Sequence, residues 1–351
     1  MLDVAILIGG NRYQDLTSCT LRSTIDEVTQ TFEASYVQSI ESASQRIRID
    51  EGTQVEVEVD GDLFLTGFVD DSIESHDAHT HRWSISGRAR TSDLCDCTAI
   101  YKGSRIYGKS ILKIAELLCK PFGISVTIDR TLVTDLELSE TVANFKLDEG
   151  ETVFEALSQL TRKFGLVIQT TPAGDLLLTR ATRLPSGSLI RSGVNIESAT
   201  YTGTWRDRFS LYTFKAQMRA DDNWHGASAN QIKHVVTDPA VKRYRPIVIS
   251  PEHHDTVAKI KRRATWERNI RAGKSQQITC VIDGWSGLSG IWKPNTMPRF
   301  TDTVLGVDSN LLITSSELYQ DQKGKQTATL QLADRAAYDV LDEPKVRRGK
   351  R

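Results

Sequence analysis

Little in this sequence is suited to membrane insertion, disulfide bonding or bulk electrostatic attraction. No run approaches the roughly 20 apolar residues of a membrane-spanning helix, so insertion into a membrane is not expected. The apolar start, Val4-Ala5-Ile6-Leu7-Ile8, follows Asp3, has no basic segment before it and stops at Gly9-Gly10. It reads as a buried first strand, not as a secretion signal, and the chain is expected to be made and kept in a cytosol-like compartment. The five cysteines, at 19, 95, 97, 119 and 280, are odd in number and scattered. Only Cys95 and Cys97 are close, and a single C-x-C lacks the second pair that a metal site of this kind requires. Reduced, mostly buried thiols are expected. With 44 basic against 45 acidic residues the net charge is -1, so no overall field favours nucleic acid or anionic lipid.

Signatures of the common reaction centres are missing as well. There is no G-x-S-x-G elbow, no H-E-x-x-H and no G-x-x-x-x-G-K-[ST] phosphate loop. Gly9-Gly10 and Gly287-Leu288-Ser289-Gly290 are too sparse to cradle a phosphate. No catalytic, cofactor-binding or metal-ligating residue is assigned, and no enzymatic activity or cofactor is expected.

What is there begins with strand periodicity. Val55, Val57 and Val59 alternate with Gln54, Glu56 and Glu58, the period-2 signature of a strand with one buried face. Asp60-Gly61 supplies a tight hairpin turn, Leu63 to Val69 returns, and a polar connection (Asp70 to Thr80) leads to the alternating Arg82-Trp83-Ser84-Ile85-Ser86. Upstream, Leu2 to Ile8, Ser18 to Ile25 and Arg46 to Ile49 also read as strands, with Phe32 to Ser39 less regular. Short strands divided by Gly, Asp and Asn turns predict a small antiparallel barrel or sandwich over residues 1–95.

The texture then changes. Ser110 is an N-cap candidate for a helix with Ile111, Ile114, Ala115 and Leu118 on one face, ended by Pro121 and Gly123. Ile124 to Ile128 alternates as a strand. A second helix follows Thr152, with Val153, Ala156, Leu157, Leu160 and Phe164 inward and Gly165 as its stop. A hairpin of Leu166–Gln169 and Leu176–Thr179 crosses Pro172 to Asp175. Residues 96–185 therefore read as an α+β domain set between β-rich segments.

From 186 to 340 the pattern is again β-rich. Strands are expected at Ser198–Thr204 and Phe209–Met218, and the loop from Ala220 to Asn230 is expected to be exposed. A helix at about 251–272 starts at Ser250-Pro251-Glu252, turns Val257, Ile260, Ala264 and Ile270 inward, and ends at Gly273. Ile278–Ile282 is a strand. Thr303–Val307 and Leu311–Ser315 are expected as strands around Asp308-Ser309-Asn310, with Thr327–Leu332 after them. This order echoes Val55 to Asp93 and reads as a weak internal repeat. Residues 341–351 are expected to form a basic, disordered tail.

Two side-chain clusters admit a functional reading. His76, His79 and His81 lie near Asp70, Asp71 and Glu74. His79 and His81 would share one strand face and could hold a metal for a hydrolase; otherwise they belong to a polar connection. The helix near 251–272 carries Lys259, Lys261, Arg262, Arg263, Arg268 and Arg271 against Glu252, Asp255 and Glu267. That face is either simply solvated or meets an acidic partner or DNA backbone without sequence preference. No aromatic residues interleave it, so single-strand recognition is not expected.

Several stretches taken in order resemble a known family. They are Gly67 through Ser86-Gly87-Arg88 to Asp96, Gly150 to Gly165, Arg243-Tyr244-Arg245-Pro246 and Gly290 to Asn295. The chain resembles the Mu-like phage tail proteins, related to the late-control D proteins and the baseplate hubs of contractile tails. The resemblance implies an α+β, β-rich fold of two similar small antiparallel β-barrels with an inserted α+β domain. It implies a homotrimeric virion structural protein whose six barrels form a pseudo-sixfold ring. Such a ring would contact the tail tube, the tail spike or puncturing protein and other baseplate proteins. The protein would be made in the bacterial host cytoplasm and end in the tail baseplate.

Overall fold

The computed structural model describes residues 2–39, 49–132, 141–164, 166–217, 231–250 and 257–338. The expected strand start at Arg46, the stop at Gly165, the loop from Ala220 to Asn230, the helix start at Pro251-Glu252 and the basic tail lie outside the described residues.

Strands β1 (Val4–Ile8), β2 (Asn11–Tyr13), β3 (Ser18–Thr24), β4 (Thr31–Ser39), β5 (Gln54–Val59), β6 (Asp62–His76) and β7 (Thr80–Ala89) open the chain. The valine alternation of β5 is realised: Val55, Val57 and Val59 are fully buried. Asp60 and Gly61 both take positive φ (56° and 83°), the geometry of a two-residue turn that matches strand twist. The irregular-looking segment at 32–39 is a full strand, paired with β7 from Thr31↔Arg88 to Ser39↔Thr80.

The expected polar connection between 70 and 80 is mostly strand. After a register shift between Val69 and Asp71, β6 stays paired with β7 to His76↔His81. The turn shrinks to Asp77–His79, where the Asp77 carboxylate accepts the N–H groups of His79 and Thr80 at 2.8 and 2.7 Å. Polarity here reports exposure of both faces. It does not report an unpaired backbone, because ladder bonds do not depend on side-chain polarity.

Gly67 and Gly87 have a steric reason. A Cβ on Gly67 would lie 1.9 Å from the Arg88 carbonyl oxygen, and one on Gly87 would lie 2.1 Å from the Phe68 oxygen and 2.6 Å from the Phe32 ring.

Strands β8 (Arg105–Ser110), β9 (Val126–Ile128), β10 (Thr141–Lys146), β11 (Val167–Thr170) and β12 (Leu176–Thr179) come next, with helices α1 (Ile111–Cys119) and α2 (Val153–Phe164). The inward positions expected on α1 (Ile111, Ile114, Ala115, Leu118) and on α2 (Val153, Ala156, Leu157, Leu160) are buried together in one core with Ile168, Leu176 and Leu178. Ser110 caps α1 by accepting the Lys113 N–H, and Gly123 turns left-handed (φ 67°) after a 3-10 turn containing Pro121.

The remainder contains β13 (Leu189–Arg191), β14 (Ile196–Gly203), β15 (Leu211–Gln217), β16 (Gln231–Thr237), β17 (Pro246–Ile249), α3 (Val257–Lys274) and β18 (Gln276–Asp283). It ends with the two-residue β19 (Ser286–Gly287) and β20 (Gly290–Ile291), then β21 (Arg299–Asp302), β22 (Val307–Asn310), β23 (Leu312–Gln320) and β24 (Gln326–Ala333).

Two expectations are corrected here. Residues 303–306 are a turn and Asp308-Ser309-Asn310 a strand. The Asp302 carboxylate accepts the N–H groups of Val304 and Leu305, both at 2.8 Å, and Arg299 binds Asp308 across the strand pair. Gly273 does not end α3, which runs to Lys274. Gly273 is instead required by packing, since a Cβ there would lie 2.5 Å from the Ala337 nitrogen.

The principal sheet has eleven strands in the order β14-β18-β24-β23-β3-β4-β7-β6-β5-β1-β2. No sheet among the described residues closes into a barrel. Strands β3 and β23, from opposite ends of the chain, pair antiparallel from Ser315↔Thr24 to Gln320↔Cys19. This pairing joins the two β-rich segments in one sheet. Met1–Thr200 with Thr279–Leu332 forms one compact unit; Tyr201–Ile278 with the residues from Ala333 forms the second. The second unit has its own core, in which Tyr212 and Phe214 of β15 pack on Ile260 and Ala264 of α3.

Candidate functional site

The β6–β7 register sets His76 opposite His81, but His79 does not join them. His79 lies in the turn, outside the strand that holds His81, so the two do not share a strand face. His81 Nε2 is 3.0 Å from Glu74 Oε1. The nearby carboxylates are also engaged. Asp70 accepts from Arg88 Nε at 2.6 Å, Asp71 accepts from the Ser86 hydroxyl at 3.1 Å, and Arg88 also binds Asp96 at 2.9 Å. The N–H of His79, with the Thr80 hydroxyl and N–H, holds the Asp77 carboxyl below its ordinary pKa. Among the described residues no group of three or more His, Cys, Asp or Glu side chains is placed to hold a metal ion.

The basic helix is partly neutralised from within its own unit. Arg271 binds Glu267 at 2.7 Å and donates to the Asp207 carbonyl at 3.0 Å; Arg268 donates to Asn269 Oδ1 at 2.7 Å. The guanidinium carbons of Arg271 and Arg245 lie 5.4 and 5.3 Å from the centroid of the Phe209 ring, within cation–π range. Lys261 is exposed, and the side chains of Lys259, Arg262 and Arg263 lie outside the described set.

Sequence reasoning missed a buried ion pair, because its members are 30 residues apart and carry no local pattern. Arg208 Nε and Nη2 bind the two Asp238 oxygens at 2.7 and 3.2 Å, with Nη1 on the Ser275 hydroxyl at 3.1 Å. Their side chains are only 10% and 5% exposed. Burial by itself raises the pKa of Asp238. Hydrogen bonds from Arg208 and the Ala240 N–H, with the charges of Arg208 and Arg268, outweigh it and hold the carboxyl below its ordinary value. Arg245 also donates to the carbonyls of Arg206 and Arg208, which ties residues 206–208 to both Asp238 and Arg245.

The thiols are free. Burial pushes Cys19, Cys119 and Cys280 up to about 12, the environment of inert structural thiols. Asn295 accounts for one of the sequence stretches singled out above. In a left-handed conformation (φ 60°), it accepts the Thr182 N–H at 2.8 Å and donates to the Arg180 carbonyl at 3.0 Å. Its side chain thus ties the end of the α+β module to the strand region that follows residue 295.

Comparisons with known proteins bear on what these elements serve. Residues 3–89 match the N-terminal domain of Mu phage baseplate assembly protein GpP-like proteins. Residues 91–180 match the second domain of baseplate hub protein gp44-like proteins, and 256–340 the fourth domain of Mu phage baseplate assembly protein GpP. These define a class, the structural proteins of the phage tail baseplate; no enzyme family is among them. The chain belongs to the Mu-like baseplate hub family. It is 29% identical over 344 residues to baseplate hub protein gp44 of Escherichia phage Mu, covering 96% of this chain and 89% of that one. Its structure is similar to the 43 kDa tail protein of prophage MuSo2 from Shewanella oneidensis (TM-score 0.83, 29% identity, 97% of this chain and 100% of that one). It shares its fold with the tail protein from Neisseria meningitidis MC58 (TM-score 0.80, 21% identity, 96% and 98%). No helix among the described residues is long and apolar enough to cross a membrane.

Proposed function

We propose that this baseplate hub protein is a non-enzymatic symmetry adaptor at the centre of a contractile tail. Residues 1–95 and 186–340 act as two similar barrel-like modules, with 96–185 inserted between them. Three copies make a ring of six modules that joins a sixfold tail tube to a threefold spike and carries the spike through contraction. The observation that carries this reading is the β3–β23 pairing, which makes the two β-rich segments of one chain a single continuous sheet. Two such segments per chain are what a trimer needs in order to face a sixfold partner. Membership of the hub family supports the same reading. DNA contact, in this account, is confined to non-specific backbone contact.

Light scattering during size-exclusion chromatography, over a range of concentrations, tests the ring. A mass near three chains is expected. A chain that stays monomeric even with the spike protein added overturns the adaptor.

A further inference from the structure

The small sheet of the α+β module, in the order β11-β12-β9, ends on β9. The two strands β9 and β12 run parallel, paired from Leu176↔Val126 to Leu178↔Ile128. The Ser125 carbonyl accepts the Leu176 N–H, and the Asp129 N–H donates to the Leu178 carbonyl, both at 2.9 Å. In a parallel ladder alternate residues bond to the same neighbour. Ser125, Thr127 and Asp129 therefore serve β12, and the N–H and C=O groups of Val126 and Ile128 point the other way. Among the described residues these outward groups have no partner. Natural edges are guarded by shortness, charge, proline or cover. Val126-Thr127-Ile128 is short, but it carries neither charge nor proline.

Helix α1 borders this edge. Lys113, Glu116 and Leu117 share one helix flank that Lys120 continues just past its end, and with Ile124 and Val126 they line a groove of about 450 Å³, a volume typical of binding clefts. Its floor is apolar: Ile124 is buried, and Leu117 and Val126 are half-buried against the core of the module. Its rim is basic. Lys113 binds Glu116 at 2.8 Å, while the exposed Lys120 has no carboxylate partner among the described residues. The carboxylates at the two ends of β9 are engaged on the β12 side. Asp175 accepts the Ser125 N–H at 2.9 Å, and Asp129 accepts the Thr179 hydroxyl at 3.1 Å. We propose that this groove receives an extended segment of another protein as an added strand on β9, with an apolar side chain over Leu117 and Ile124 and a carboxylate at Lys120. Main-chain bonds to Val126 and Ile128 supply the pairing, and the groove selects the side chains. The chain's own basic stretch, Lys345 to Arg351, has the wrong sign for Lys120. The groove belongs to the α+β module, so the inference stands apart from the trimeric reading.

A blocked Val-Glu-Val-Glu-Val-Glu peptide, added to the full chain, tests it. Hydrogen exchange resolved to single amides is expected to slow at Val126 and Ile128, whose N–H groups gain acceptors, and to stay unchanged at Ser125 and Thr127, already bonded to β12. Binding is followed by the anisotropy of the labelled peptide. Lys120→Glu replaces attraction by repulsion at the rim and is expected to weaken binding about fivefold. Val126→Pro removes an outward donor and none of the bonds to β12, a place where an edge strand tolerates proline, and is expected to abolish the slowed exchange at Ile128. Circular dichroism establishes that each variant is folded, and the Lys120 substitution, on an exposed side chain, stands as the test if the proline variant is not. A Val-Lys-Val-Lys-Val-Lys peptide is expected to bind more weakly than its acidic counterpart. Exchange at Val126 and Ile128 that does not slow with millimolar acidic peptide overturns the proposal. So does equal binding by the Lys120→Glu variant or by the basic peptide.

Discussion

At the scale of single residues, the pair Arg208–Asp238 concentrates the electrostatic risk of the molecule. Two charges removed from water are tolerated because each finds a geometric match and further hydrogen bonds. Asp238→Asn leaves a buried guanidinium without its counter-charge and is expected to destabilise the fold by about 3 kcal/mol, read by urea unfolding. The pH dependence has a defined sign. The folded pKa of Asp238 is depressed, so the folded state gives up this proton more readily than the unfolded state does. Its stabilisation is complete above the unfolded carboxylate value, near 4, and is lost as pH falls through the lower folded value. Between neutral pH and that acid limb the wild type should lose more stability than Asp238→Asn; parallel curves would refute the assignment. Nothing in the sequence marks this pair. Gly67 and Gly87, by contrast, stand in a stretch that carries the family resemblance, and the structure supplies the backbone and ring atoms that forbid a side chain there.

At the scale of elements, helices were the most legible part, because apolar spacing and capping residues act locally. In α2 the cap is reciprocal: the Glu155 N–H donates to the Thr152 hydroxyl at 3.2 Å, and the Thr152 N–H donates to the Glu155 carboxylate at 2.9 Å. Ser110 accepts from Lys113 at a longer 3.4 Å, and the lysine three positions on has no acceptor with which to return the bond. Thr152→Ala is therefore expected to cost about 1 kcal/mol and Ser110→Ala clearly less, compared by chemical denaturation of the two variants. Strand positions were less legible near turns. Asp308-Ser309-Asn310 has the composition of a turn, yet the Arg299–Asp308 pair and the Asp302 cap move the turn upstream. Gly273 has the look of a helix stop because glycine serves both as a C-cap and as a point of close approach. Only the position of Ala337 decides between them.

At the scale of the whole molecule, the β-rich segments and the α+β module between them could be read from periodicity, but not how the β segments join. The partner of β3 is set by residues almost the full chain away, as in the Arg22–Glu317 pair across 295 positions, and no local signal announces it. Leu21, fully buried, stands opposite both Leu318 of β23 and Phe32 of β4. Leu21→Ala is expected to cost about 3 kcal/mol. Hydrogen exchange should then quicken in β23 as well as in β3 and β4, since all three belong to one sheet. Loss of protection confined to β3 and β4 would contradict a single cooperative sheet. The histidine cluster illustrates the opposite limit: composition named its members, but only the strand register shows that His76 stands opposite His81 while His79 falls in the turn.

The pairing of β3 with β23 also sets an order of events during synthesis. The edge of β3 is completed only after residue 320 has emerged from the ribosome, so the early half of the sheet waits with one side bare while the rest is translated. A chain interrupted before that point lacks the strand that covers this edge. The finished sheet therefore exists only in a polypeptide made nearly to its end.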